Sequence, residues 1–177
     1  MTFILSGFAD EISQDLGEQL AVLAAEGITH LELRSVWSAN VADLGDAEVA
    51  RLCRELDDAG VRVSAIGSPV GKIAIGGPLG PELERLRRVC DVAEALGTAI
   101  VRVFSFFIPE GEPPERYREQ VTDRLRALAA IAEERGVVLA HENEKEIYGD
   151  RPQRCAELIE AVAPATVASS CQGRSAG

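Results

Sequence analysis

Short apolar runs and longer helical stretches alternate along the chain. The runs are Thr2–Phe8, His30–Arg34, Val61–Ile66, Ala99–Phe104 and Val137–Glu142. Between them lie segments rich in Ala, Leu, Glu and Arg: Ser13–Glu26, Asp46–Ala59, Pro81–Leu96, Pro114–Arg135 and Pro152–Val162. Leu16, Leu20, Leu23 and Ala24 recur at helical spacing, as do Val121, Leu125, Leu128 and Ile131, so each set forms one buried stripe. Glu26-Gly27, Ala59-Gly60, Leu96-Gly97 and Arg135-Gly136 read as helix stops. Asp46 and the prolines at 81, 114 and 152 read as helix starts. Strands alternating with helices at this spacing predict a parallel sheet built from right-handed crossovers.

Strand parity refines that picture. Successive side chains of a strand point to opposite faces. Leu31 and Leu33 oppose His30, Glu32 and Arg34; Val101 and Val103 oppose Ile100, Arg102 and Phe104; Val137, Leu139 and His141 oppose Val138, Ala140 and Glu142. A doubly wound sheet is covered on both faces and its strands read apolar throughout. Here one face repeatedly carries charge, at Glu32, Arg102 and Glu142. A closed barrel accounts for this, because its interior near the C-terminal rim holds the site. His141 then points away from the lumen as a packing residue, and His30 starts its strand at the end remote from chemistry.

Composition narrows the function. The 177 residues are 46% hydrophobic and 27% charged, which fits a globular domain and argues against disorder. No apolar run approaches the roughly 20 residues of a membrane span, and the opening MTFILSGFADEISQ does not read as a secretory signal. The net charge of −11 repels a phosphate backbone, so nucleic acid is not an expected partner. Cysteines stand at 53, 90, 155 and 171 without a CxxC, which fits a cytoplasmic protein with reduced thiols. Cys53, Cys90 and Cys155 fall among apolar helix positions and read as buried.

The loops after the strands are the expected functional face. Trp37 and either Phe106 or Phe107 could offer an apolar stacking surface to a sugar, or could plug the barrel rim. Lys72 and Arg102 could meet a polar or anionic substrate group. The glycine turn at 76–80 lacks the Lys-Ser/Thr ending of a phosphate loop.

The segments SGFADEIS, HLELRSVW, GSPVGKI, VRVFSFF and HENEKEIYGDRPQRCAELIEAV, in this order and at strand ends, resemble the sugar phosphate isomerase/epimerase family of xylose-isomerase-like TIM barrels. The resemblance covers residues 1 to about 163 and implies metal-assisted proton transfer on a small sugar or sugar phosphate. It assigns Glu142, followed by Asn143, as a ligand for a divalent metal, Mg or Mn, and as a catalytic carboxylate; Glu32, the second catalytic candidate, matches an acidic position on the second strand. Such barrels have eight strands and typically about 250 residues. The expectation is therefore an incomplete (β/α)8 barrel over 1–164 with an irregular tail over 165–177, truncated relative to the family. Several metal ligands of the family, an Asp, a His and a Glu from later strands, have no counterpart. Catalysis by this chain is correspondingly doubtful, and it need not bind a metal itself. Two alternatives stand beside the enzyme reading: a non-catalytic α/β binding or assembly module, and a related endonuclease branch that the acidic charge disfavours. Exposed strand edges would favour homo-oligomers or aggregates.

Overall fold

The computed structural model describes residues 3–162 and 167–170. They fall into two units, 1–68 with 88–101, and 69–87 with 102–177.

In the first unit, helix α1 (Leu16–Ala25) begins where Asp15 Oδ1 accepts the Glu18 N–H at 3.0 Å. Strand β1 (His30–Leu33) follows, then a small antiparallel hairpin of β2 (Ser35–Val36) and β3 (Ala39–Asn40). Helix α2 (Asp46–Ala59) leads to β4 (Arg62–Ile66). The α2 N-cap is Gly45 rather than Asp46: the Gly45 N–H donates to Glu48 Oε2 at 2.8 Å. β1 and β4 pair in parallel from His30↔Arg62 to Leu33↔Ile66, with a register shift between Leu31 and Glu32. Ile66↔Val101 joins β4 to the start of β5 (Ile100–Val103), also in parallel. Crossover by a helix is the connection parallel neighbours require, and helix α3 (Gly80–Ala95) lies in the chain between β4 and β5. The alternation read from the sequence holds, since Leu31, Leu33, Val63 and Ile66 are buried while Glu32 and Ser64 are half-exposed.

Three expectations fail in this unit. The run at 2–8 forms no regular strand over its described residues. It gains one bridge, Phe8↔Glu32, through the Glu32 N–H and the Gly7 carbonyl at 2.9 Å, and leaves Phe3, Ile4 and Leu5 exposed. Hydrophobicity favours extension, but a ladder needs a partner along its length. On α1 the buried stripe is Leu16, Gln19 and Leu23. Ala24 is exposed, and Gln19 is buried because its amide donates to the Ser13 carbonyl at 2.7 Å. Cys53 is half-buried, its thiol 3.4 Å from the Ala95 carbonyl.

The second unit holds the end of β5, a 3-10 turn (Pro114–Tyr117), helix α4 (Arg118–Glu134), β6 (Val138–Glu142), helix α5 (Pro152–Ala161) and β7 (Val167–Ser170). Its strand order is β5, β6, β7. β6 and β7 are parallel from Leu139↔Val167 to Glu142↔Ser170, so part of the tail expected to be irregular is a strand. Cys171 lies outside the described residues. On α4, Val121, Leu125, Leu128 and Ile131 are all buried. Gly27, Gly60, Gly97 and Gly136 all take positive φ, which ends each helix as its stop signal foretold.

The loops after β5 and β6 are tied into a second layer of main-chain bonds. Phe104, Phe106 and Phe107 donate N–H groups to the carbonyls of Val70, Gly71 and Ile73 at 2.8–3.0 Å, and Ile75 donates back to Phe107 at 2.9 Å. Ile108 and Tyr148 link the same loop to 146–148 through bonds of 3.0 and 3.1 Å. No described helix is long and apolar enough to cross a membrane.

Candidate active site

Arg102 on β5 and Glu142 at the end of β6 both lie on the half-exposed faces of their strands, opposite Val101, Val103, Leu139 and the buried His141. The Arg102 guanidinium donates through Nη1 to Glu142 Oε2 at 3.2 Å, and the two side chains are only 11% and 12% exposed. Glu142 Oε1 accepts no hydrogen bond from the described residues. One oxygen is anchored and the other meets no described donor.

Phe104, fully buried, carries two cations. The Lys72 ammonium lies 4.4 Å from its ring centroid and the Arg102 guanidinium 4.9 Å, both within cation–π range. Lys72 Nζ also donates to Glu144 Oε2 at 3.1 Å. The site thus alternates cation and carboxylate around one aromatic ring, on loops fixed by the second hydrogen-bonded layer. Glu144 was not singled out from the sequence, although the alternating charges of ENEKE at a strand end were a signal for it.

Other expected site residues are placed differently. Phe106 is buried with a positive φ, and Arg124 covers its ring at 5.3 Å, so it presents no stacking surface. Phe107 is half-buried and lines a cleft of about 560 Å³ with Ile108, Glu110, Glu112, Glu146 and Asp150. Glu32 and Trp37 belong to the first unit. Glu32 sits half-buried on β1. Trp37 and Ser38 form the two-residue turn of the β2–β3 hairpin with φ of 53° and 62°, and the Arg51 guanidinium lies 4.2 Å from the indole.

The first unit also holds a network that the sequence reading missed. Asp10 Oδ2 accepts Arg34 Nε at 2.7 Å and the Ser35 hydroxyl at 2.6 Å, while Arg34 Nη2 donates to Glu11 at 2.5 Å. The hydrogen bond to Asp10, and that to Glu11, hold the Arg34 guanidinium above its ordinary value against the opposing effect of burial.

His141 is buried, and loss of solvent pushes its imidazole down to about 4. Its ring lies against Gly149, whose N–H donates to the buried Ser105 hydroxyl at 2.8 Å. This is a packing environment, as strand parity indicated.

A hard divalent ion takes about six oxygen donors. Among the described residues no three His, Cys, Asp or Glu side chains converge to hold one, and one oxygen of Glu142 is already engaged by a guanidinium. These residues do not fit a divalent metal by themselves.

Parallel β/α units with polar strand ends are the architecture of the TIM barrels. The chain belongs to the xylose isomerase-like TIM barrel family, which matches residues 20–168. A xylose isomerase-like TIM barrel protein from Mycobacterium smegmatis, crystallised with magnesium, superposes with a TM-score of 0.70 at 19% identity, over 94% of this chain and 63% of its own. The probable 3-DHS dehydratase AsbF of Bacillus anthracis, involved in petrobactin synthesis, gives 0.77 at 15% identity, over 94% and 62%. A D-tagatose 3-epimerase-like protein gives 0.72 at 16%, over 92% and 62%. The chain therefore spans a little over three-fifths of each of these proteins, and at such identities the likeness shows the fold. No curated protein matches the chain significantly in sequence.

Proposed function

We propose that the chain carries an isomerase- or epimerase-type proton-transfer site for a small neutral carbohydrate. The observation that supports this most is Glu142, a strand-end carboxylate with one oxygen held by Arg102 and the other without a described donor. Proton transfer at the carbon beside a carbonyl needs such a base, positioned within hydrogen-bond reach. In the proposed step Oε1 takes the proton from a hydroxyl-bearing carbon next to the carbonyl. The C–H electron pair forms the new C=C bond, and the carbonyl π pair moves to oxygen, giving an enediolate. Lys72 and Arg102 supply the positive charge that stabilises that oxygen. Return of the proton to the neighbouring carbon, with transfer of the hydroxyl proton, completes an aldose–ketose isomerisation. Glu32, in the first unit, enters no step of this scheme.

A neutral sugar suits the surroundings better than a phosphate ester. At the site each cation is already matched by a carboxylate, Arg102 by Glu142 and Lys72 by Glu144. Carboxylates accept hydroxyl hydrogen bonds and repel an anion.

The test is solvent exchange. D-Fructose, D-tagatose and D-psicose are incubated with the protein in deuterium oxide and followed by proton NMR. Loss of the signals next to the carbonyl is expected with the wild-type chain and not with Glu142→Gln. No exchange with any of the three would overturn the reading, and saturable binding without exchange would leave a carbohydrate-binding module.

A further inference from the structure

We infer that in this chain the Arg102 guanidinium takes the place beside Glu142 that a divalent cation would need, so that the carboxylate works with a protein-borne cation instead of a metal. The inference rests on the reading of Glu142 as the working carboxylate.

Three observations carry it. Arg102 Nη1 is 3.2 Å from Glu142 Oε2, and both side chains are close to nine-tenths buried, so the attraction is poorly screened by water. The guanidinium is further fixed against the buried Phe104 ring at 4.9 Å, which limits its freedom to swing aside for an incoming ion. Lys72 places a second positive charge 4.4 Å from that same ring. A divalent ion arriving at Glu142 Oε1 would remain close to two cations, Arg102 and Lys72. It would find no trio of carboxylate, imidazole or thiolate groups among the described residues to offset that repulsion. A guanidinium, by contrast, is always charged, donates hydrogen bonds in a fixed plane and needs no cage of oxygens. It can stabilise a developing oxyanion as well as hold the base.

The proposal is tested by metal binding, independently of turnover. The full chain is titrated with Mn²⁺, and paramagnetic broadening of backbone amides at 141–144 is compared with that elsewhere. Wild-type protein and Glu142→Gln should behave alike, with no localised broadening below millimolar metal. Arg102→Gln should localise the broadening at these amides at about tenfold lower metal, because removing one adjacent charge relieves the repulsion. Arg102→Lys, which keeps the charge, should resemble wild type. Localised broadening in wild-type protein that Glu142→Gln abolishes would overturn the inference, as would a folded Arg102→Gln no more responsive than wild type. Should Arg102→Gln fail to fold, the wild-type and Glu142→Gln comparison decides. Ketose exchange, run with and without a chelator, separates the two readings. Exchange unaffected by the chelator supports both, and absence of exchange with unchanged metal insensitivity removes the isomerase reading alone.

Discussion

Gly149 lies so close to His141 that a Cβ built on it would come within 2.4 Å of Cε1, and within 2.8 Å of the Ser105 hydroxyl oxygen. Ser105, His141 and Gly149 are all buried, and the Gly149 N–H is committed to Ser105. Gly149→Ala must therefore push apart the loops after β5 and β6. Overpacking of this kind costs about 1–3 kcal/mol. A lower urea midpoint with an unchanged slope is the expected outcome, and unchanged stability would mean that the loops move apart freely.

His141 makes stability depend on pH with a definite sign. Its folded value near 4 lies below the ordinary 6.5, so as pH falls below 6.5 the unfolded chain takes up the proton first. The contribution of the neutral imidazole is fully present above about 6.5, shrinks as pH falls toward 4 and is gone below it. The loss is on the order of 3 kcal/mol. Chemical denaturation at several pH values should show this slope, and His141→Asn should flatten it relative to wild type.

The Trp37–Ser38 turn stores strain. Both residues have positive φ, the conformation of a type I′ hairpin turn, which favours Asn-Gly. A left-handed L-residue costs roughly 1–2 kcal/mol, and glycine gives back about 0.5–1 in unfolded-state entropy. Ser38→Gly should therefore stabilise the protein by about 0.5 kcal/mol, visible as a small rise in Tm. A fall would mean that the Ser38 side chain contributes to the fold.

Phe3, Ile4 and Leu5 are 86%, 67% and 71% exposed in a segment with one bridge to β1. Unpaired main chain beside apolar side chains is a template for association. The apparent mass from light scattering should rise with protein concentration, and Ile4→Lys should reduce that rise by placing a charge on the segment. A wild-type chain that stays monodisperse at high concentration would contradict this.

Much of the fold is visible in local sequence because its signals are local. The four helix-ending glycines, the Val121–Leu125–Leu128–Ile131 stripe and the alternation of Leu139, His141 and Glu142 each need only neighbouring residues to be read. Arg102 and Glu142 could be placed on matching strand faces for the same reason. Their pairing, and that of Lys72 with Glu144 across 72 positions, depend on which strands and loops become neighbours. The segment at 3–8 misled because apolarity reports a tendency to extend and not the presence of a partner. Gln19 misled because a buried amide is tolerated when a carbonyl such as that of Ser13 meets it. Val167–Ser170, poor in large apolar residues, carries little signal for the strand it forms beside β6.

The bonds that stitch residues 70–75, 104–108 and 146–148 together bear on the thermodynamics of recognition. Loops that fold around a ligand lose backbone freedom at the moment of binding, and affinity is reduced accordingly. Here the main chain at Lys72 and Phe104 has lost that freedom during folding. On the proposed reading, a sugar would meet a preformed surface and order little more than side chains, and discrimination among sugars would rest on fit to a fixed outline rather than on closure around the guest.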